Sequence, residues 1–439
     1  KMKDKSTKSR VENKALSQVN ENERQSWTSI AFIWVGTMIC IPMLMVGGVF
    51  ASALTFSNIF IATVIGFAIC CLIMVLGGMQ GHDLGIPSTM CATRAFGSTG
   101  SSFTMALAIF IGDVGWFAIQ AATCAVAFNT LMELVNTNVP FAVSCLIWGC
   151  VMTVTAVYGF GLMKWLNYIA CPLLIALCVY GAVHSVNQSS WQAITTFTAE
   201  NTMSMSIAVS TVIGLFAVGA CCNADYTRYA KSRGDVVKAT VLGVLPAAVL
   251  MIMVGSIMAL GTGNYDVTSI FANLGMPVVA MLVLILATWT TNTGNAYASG
   301  LASMKLFRLR DELRPIATLG CGVLGTVLAM LGIANAMESY ISIVSALVPP
   351  VAGVVIADYW IVCKGNPENW KPVKGVNWIG IIAWILGALV ALFFSFFSTA
   401  VDSIVVSMVS YLVLNTVLGK TGLRGKGEIT IEEATEVTK

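Results

Sequence analysis

Between Ala287 and Gly300 the chain reads ATWTTNTGNAYASG, inside a run free of charged residues from Val267 to Met304. Hydroxyls and amides crowd it: Thr288, Thr290, Thr291, Asn292, Thr293, Asn295 and Tyr297. At membrane depth such groups are costly unless protein, water or a ligand meets them. Thr290 and Thr291 set two uncharged hydroxyl oxygens side by side. That donor pair suits a weakly held alkali cation completed by backbone carbonyls, because hard cations take oxygen ligands. The plainer reading is hydrogen bonding to neighbouring helices, which is common in membrane bundles. So many polar groups in so few turns favour a lined cavity.

A second group lies in GDVGWFAIQ. Asp113 is an acid at membrane depth and so a functional candidate by default. Trp116 follows three residues on and Gln120 four beyond that, which sets all three on one helical face. An aromatic plane between an acid and an amide suits a flat, polar heterocycle whose ring stacks and whose edges are hydrogen-bonded. The plainer alternative is an interface tryptophan with Asp113 bonded to a neighbouring helix. The coincidence of the three residue types on one face favours a site.

Membrane helices must position these groups. With 57% hydrophobic and 10% charged residues and a mean hydropathy of +0.83, the composition excludes a soluble globular domain. Apolar segments long enough to cross a bilayer predict an all-α membrane protein of twelve spans. They fall near 28–50, 57–80, 100–132, 139–160, 165–185, 204–224, 239–262, 276–302, 315–334, 338–361, 376–397 and 400–419.

In that arrangement all 24 Lys and Arg residues share the side of the N-terminus. The charged residues of the opposite loops are acids: Glu133, Glu200, Asp266, Glu338 and Asp402. The positive-inside rule then places both termini in the cytoplasm and the protein in the plasma (inner) membrane. Residues 1–27 are a cytoplasmic tail, 28–419 the transporter domain and 420–439 a second tail. Both tails, including the acidic GEITIEEATEVTK, read as solvated, mobile segments. The formal charge of +3 thus reports topology and not nucleic-acid binding. The 13 Cys lack metal or disulfide spacing and read as small buried hydrophobes. The long polar stretch before the first span does not read as a cleavable signal.

Several segments carry break signals. IWVGTMICIPMLMVGG holds Gly36 and Pro42; proline removes a donor and frees a carbonyl one turn earlier, and such carbonyls can hold a cation. A simple proline kink is the alternative. In the sixth span Gly214 and Gly219 flank Phe216, again a helix-weakening pattern, with Phe216 either a site aromatic or plain core. Pro349, Pro350 and Gly353 mark a flexing point in the tenth, and Asp358 falls near its cytoplasmic end. The first and sixth spans occupy corresponding places in two five-helix halves of opposite orientation, as in secondary transporters with a midplane site. Asp225 and Arg228 in DYTR read as an ion pair or gate contact. His82 reads as a loop residue between Gly81 and Gly100, and His184 as an outer-end residue. No Walker motif, nucleophile elbow or metal-ligand cluster occurs, which argues against an ATP-driven pump or a membrane hydrolase.

WTTNTGNAYASG, VPPVAGVVIADYW, NADYTRYA and VGWF together resemble the nucleobase–cation symporter family of cytosine, allantoin and hydantoin permeases, its bacterial cytosine-permease branch above all. The resemblance covers nearly the whole membrane part. It implies the LeuT-like five-plus-five inverted repeat with two additional helices. It also implies a sodium ion held by the carbonyls of Gly36, Ile39 and Ala287 and the hydroxyls of Thr290 and Thr291. Trp116 and Phe216 match the aromatics that sandwich the family's substrate, Gln120 matches an amide that bonds it, and Asn292 and Asn295 lie near polar positions of the eighth helix. One departure stands out: Asp113 occupies a place where cytosine permeases have Gln, and the amide comes at Gln120 instead.

The sequence therefore predicts an importer of a nucleobase-like heterocycle, such as cytosine or a purine, coupled to sodium by alternating access. No obligatory protein partner is evident in it. Proton coupling through Asp113 is the mechanistic rival. An uncoupled facilitator for allantoin, hydantoin or a pyrimidine vitamin precursor is another. A membrane enzyme using Asp113 as general acid or base ranks last, for want of a nucleophile or metal partner.

Overall fold

Each of the twelve expected spans coincides with a helix or a broken helix in a computed structural model of the protein. The structure describes residues 18–437 apart from 159, 200–202, 311, 312, 395 and 420. Glu200, Lys420, Lys439 and the tail up to residue 17 lie outside the described residues, as does the side chain of Lys164.

In chain order the helices are α1 (Trp27–Met38), α2 (Ile41–Ala53), α3 (Phe56–Leu84), α4 (Ser88–Cys91), α5 (Ser98–Glu133), α6 (Phe141–Tyr158), α7 (Phe160–Ser189), α8 (Trp191–Thr196), α9 (Met205–Cys221) and α10 (Ala224–Thr227). They continue with α11 (Arg233–Thr262), α12 (Val267–Ala272), α13 (Pro277–Leu306), α14 (Arg314–Met330), α15 (Met337–Leu347), α16 (Pro349–Ile356), α17 (Trp378–Phe393), α18 (Thr399–Leu418) and α19 (Ile431–Val437). Eight helical stretches are long and apolar enough to cross a bilayer, and α1–α2 makes a ninth as one bent span. Three shorter apolar helices, α6, α14 and α17, fill the remaining expected positions.

The bend of 52° between α1 and α2 follows from local chemistry. Pro42 sits in the first turn of α2 and has no N–H to offer Met38. The Cys40 N–H, which a continuous helix would give to Gly36, turns to the Met38 carbonyl at 2.9 Å. Ile39 (φ −80°, ψ 77°) and Cys40 leave the helical region. The expected break in the tenth span also occurs: Pro349 and Pro350 start α16 as a new helix after Val348, and a π-helical turn, Ala357–Val362, ends it.

The break expected around Phe216 does not occur, because α9 runs through Gly214 and Gly219 to Cys221. Those glycines make room for neighbours instead. A Cβ at Gly214 would meet Ser345 Oγ at 1.9 Å, and one at Gly219 would meet the Phe216 ring at 2.4 Å.

Packing divides the helices into two groups. In the first, α1, α2 and α3 pack on α11, and α3 on α9. Gly47 and Gly255 bring α2 and α11 together backbone to backbone, each lying where a Cβ would strike the other helix's carbonyl oxygen, Ile252 O at 2.3 Å and Leu44 O at 2.4 Å. In the second group, α5 packs most extensively on α13, and both pack on α6 and α14. Among the described residues the direct contacts between the groups are sparse, α5 on α9 and α2 on α13, while α7 bridges them by packing on both α11 and α13, and α15 packs on α9 and touches α5. The outward faces of α7, α14, α17 and α18 carry exposed Val, Leu, Ile and Phe such as Val179, Val323, Phe393 and Val413, a surface for lipid.

The described parts of the two tails, 18–26 and 421–437, depart from the expectation of solvated, mobile ends. Both dock on one face. Gln18 Nε2 donates to Leu84 O at 2.8 Å, and the Gln25 N–H to Tyr229 O at 2.7 Å. The Ile429 N–H donates to Pro372 O at 2.9 Å. His82 is not in a loop either: it lies in the last turn of α3, where Nδ1 is 2.7 Å from Arg24 Nη1.

Candidate functional site

The expected site residues come from helices of both packing groups. Asp113, Trp116 and Gln120 ride on α5, and residues 287–295 on α13. Phe216 lies on α9, and Gly36 and Ile39 flank the break after α1. A rocking or shearing of one group against the other would remodel the seam between them first.

Asp113 is 9% exposed and has no hydrogen-bond partner among the described residues. Gln120 is 1% exposed, and its Oε1 is also unpartnered. The plainer alternative for Asp113, a bond to a neighbouring helix, is therefore absent among the described residues. These two unpartnered groups stand two helical turns apart on α5, with Trp116 between them. Leaving a buried polar group unpaired costs about 1–3 kcal/mol, so a ligand that donates to both recovers that cost on binding.

Trp116 is held from the side by a residue that sequence reasoning missed. Tyr340 of α15 meets it edge-on, ring centroids 5.6 Å apart, and its hydroxyl donates to the Gly112 carbonyl. Gly115 makes the approach possible, since a Cβ there would lie 2.2 Å from the Tyr340 ring. The only signal was an aromatic five residues before a small residue facing α9, which no single-sequence pattern singles out. Phe216 is wedged between Trp34 (5.7 Å, edge-on) and Phe67 (6.2 Å). Trp34 was missed as well; its Nε1 donates to Asn223 Oδ1 at 3.1 Å. Trp116 and Phe216 do not touch each other among the described ring pairs. They come from helices that meet at Gly112 and Val218.

On α13, three expected cation ligands converge. The hydroxyls of Thr290 and Thr291 both donate to the Ala287 carbonyl, at 2.9 and 3.1 Å. Their protons point to one oxygen, and their lone pairs remain available. Backbone back-bonding of this kind is common for threonine in helices, and Thr288 and Thr293 also show it; the shared acceptor recurs where Ser101 and Ser102 donate to Ser98 O and where Thr195 and Thr196 donate to Gln192 O. Gly36 is exposed with open space where a Cβ would stand, and Ile39 is half-buried at the bend. The three α13 oxygens are uncharged and hard, the donor type an alkali cation takes. Among the described residues no group of three or more His, Cys, Asp and Glu gathers for a metal ion.

Asn292 is committed elsewhere. Its Nδ2 donates to Phe117 O at 2.9 Å, tying α13 to α5, and its Oδ1 accepts from Asn295 Nδ2 at 3.1 Å. Asn292 thus holds the site helices together, and Asn295 keeps its carbonyl oxygen for other partners.

Farther toward the face that carries both tails, sequence reading missed two clamps on consecutive residues. Arg94 and Asp358 form a buried ion pair, and Tyr411 OH donates to Asp358 at 2.7 Å. Burial opposes the Arg94 charge, but Asp358, Cys363 and Tyr411 around it more than offset this and raise its pKa. Tyr359 OH donates to Asp83 Oδ2 at 2.6 Å, which Arg233 grips through Nε and Nη2 at 2.8 and 2.5 Å. Asp225, expected to serve as an ion-pair or gate residue with Arg228, accepts the Ser88 N–H at 2.7 Å.

A broken first helix and a two-group seam define a transporter of the LeuT-like inverted-repeat class, α1–α7 forming one half and α9–α16 the other. The fold matches the inward-facing conformation of Mhp1 with a TM-score of 0.84 at 19% identity, over 97% of this chain and 98% of that one. It matches Mhp1, a nucleobase-cation-symport-1 family transporter, in a closed conformation with bromovinylhydantoin bound with a TM-score of 0.80 at 18% identity, over 97% and 99%.

Residues 18–419 match the model of the family described as permease for cytosine/purines, uracil, thiamine, allantoin, and the chain belongs to that family. It is 26% identical to the cytosine permease of Escherichia coli (strain K12) over 92% of this chain and 94% of the relative. It is 24% identical to the hydantoin permease of Microbacterium maritypicum over 83% and 80%. These relatives are permeases and not enzymes, and the protein is a multi-pass membrane transporter of heterocycles.

Proposed function

We propose that the protein imports a nucleobase-like heterocycle together with sodium, by alternating access across the plasma membrane with both termini cytoplasmic. The observation that carries this reading is the pair of unpartnered acceptors, Asp113 and Gln120, set on either side of Trp116. Thr290, Thr291 and the Ala287 carbonyl lie on α13, the helix on which α5 packs most extensively. The heterocycle stacks on Trp116 and Phe216. It donates from one edge to Asp113 and from the other to Gln120, which favours rings that carry an exocyclic amine, such as cytosine, over rings of carbonyl edges.

The sodium ion sits between the α1–α2 break and α13, held by the carbonyls of Gly36, Ile39 and Ala287 and the two threonine hydroxyls. It stabilises one arrangement of the two groups. Both solutes together shift the population toward the closed transporter by their differential affinity for it. The confinement of Lys and Arg to one side and the docking of both tails on one face support the topology.

Proteoliposome uptake of labelled cytosine tests this, with sodium or choline outside at equal pH and unlabelled heterocycles in competition. Sodium-driven accumulation, with amino-substituted rings the strongest competitors, is the expected result. A second reading, proton coupling, draws on the same buried Asp113 carboxyl. It predicts accumulation in choline under an inward proton gradient, lost in Asp113→Asn.

A further inference from the structure

The acidic C-terminal end is held down by more than chance contacts. The Lys426 N–H donates to Lys374 O at 3.0 Å, the Lys374 N–H to Gly427 O at 2.9 Å, and the Ile429 N–H to Pro372 O at 2.9 Å. Val373, between those partners, is itself stitched to the start of α5: its N–H donates to Thr93 O at 3.2 Å, and its carbonyl accepts from the Ser98 N–H at 2.7 Å. Beyond this seam the chain turns into α19. Ala434 is fully buried there in an apolar cluster with Leu84, Met90, Cys91, Tyr359 and Cys363, and Ile429 and Ile431 pack against it.

Adjoining this cluster is a narrow cavity of about 20 Å³, room for about one water, lined by Gln80, Ser88, Cys91, Met105, Ala224 and Ile356 among others. Cys91 and Ala224 belong to both the cavity wall and the apolar cluster. Leu84 lies one turn beyond Gln80 on α3, and Tyr359 about one turn beyond Ile356. The walls come from both packing groups, α3 and α9–α10 from one and α5 from the other, with α16 between them. Ser88 Oγ is buried there without a partner. The cavity is thus a stretch of the seam, and the tail packs across its end.

We propose that residues 421–437 form a strap that closes the cytoplasmic end of the substrate path and must lift for release. This rests on the transport reading and its topology. The docked strap touches α3, α4 and the end of α16 through its apolar cluster and α5 through α19, so it spans both packing groups and an opening of the seam on this face breaks its contacts. Its net docking free energy therefore biases the transporter against the inward-open state, and loss of docking shifts that equilibrium.

Two variants of the full-length protein test the strap: Ala434→Asp, which sets a carboxyl in the apolar cluster, and a chain ending at Gly419. Burial pushes the thiols of Cys91 and Cys363 up, Cys363 to about 12, so both are poor nucleophiles while the strap is docked. Peptide-resolved maleimide labelling of these two cysteines and hydrogen exchange of residues 424–437 report docking without any transport. Counterflow of labelled cytosine from the strap side reports release.

In both variants labelling and counterflow should rise about three- to tenfold, with exchange protection lost in Ala434→Asp and the melting temperature held within a few degrees. Undocking by hydrogen exchange with unchanged labelling and counterflow would overturn the proposal. So would a fall in counterflow that tracks a lowered melting temperature, which would make the strap a structural staple. Absence of any uptake by the parent protein would count against the transport reading, while the labelling arm still decides the strap.

Discussion

Replacing Asp113 should make the protein more stable and less able to bind its substrate, and the two effects can be measured separately. The carboxyl is 9% exposed and has no partner among the described residues. In the ligand-free protein it therefore contributes a desolvation cost without a compensating bond. Asp113→Leu removes that cost, which at about 1–3 kcal/mol for a buried unsatisfied group raises the melting temperature of the solubilised protein by a few degrees.

The same change removes an acceptor for the heterocycle. A hydrogen bond to a charged or strongly polar acceptor contributes about 1.5–3 kcal/mol, so the affinity for cytosine should fall roughly ten- to a hundredfold. Asp113→Asn keeps the shape and one acceptor, and should fall between the two. The assays are differential scanning fluorimetry without substrate and isothermal titration with it, in sodium. A carboxyl that serves the fold would behave in the opposite way. A lowered melting temperature with unchanged affinity in both variants would refute the reasoning.

Three further outcomes follow from the geometry. Thr290→Val and Thr291→Val keep the shape but remove one oxygen each, so the sodium concentration for half-maximal uptake should rise about tenfold while residual uptake in choline stays the same; an unchanged sodium dependence would move the ion elsewhere. Asp358→Asn strands the buried Arg94 charge and should cost about 3–5 kcal/mol, whereas the double replacement Arg94→Met with Asp358→Leu should recover most of it, read as melting temperatures. Gly47→Val sets a side chain where Ile252 O lies 2.3 Å from a Cβ and should lower the melting temperature by several degrees, while Gly36→Ala, with open space at that point, should leave it unchanged.

Much of the architecture was legible along the chain because the bilayer makes it so. A segment that crosses hydrocarbon must be long, apolar and internally hydrogen-bonded, and those requirements are local. Hence the positions of the helices and the break at Pro42 follow from residue types and spacing, as does the new helix at Pro349 and Pro350. Asp113, Trp116 and Gln120 likewise share a face because they share a helix. The motifs WTTNTGNAYASG and VPPVAGVVIADYW, read together with NADYTRYA and VGWF, pointed to the permease family before any coordinates.

Tertiary structure decided what those local signals meant. Glycine reads the same in a sequence whether it breaks a helix or admits a neighbour, and Gly214 turned out to admit Ser345. An asparagine shows nothing of its partner, and Asn292 spends its amide on Phe117 O, which ties α13 to α5. Arg94 and Asp358 are 264 residues apart, and Tyr340 reaches Trp116 across 224 positions (340 − 116); no periodicity links them. The acidic tail had a composition suited to solvent, yet one buried alanine and three backbone bonds hold it. Composition prices the average residue, while docking depends on whether a particular surface stands ready to receive it.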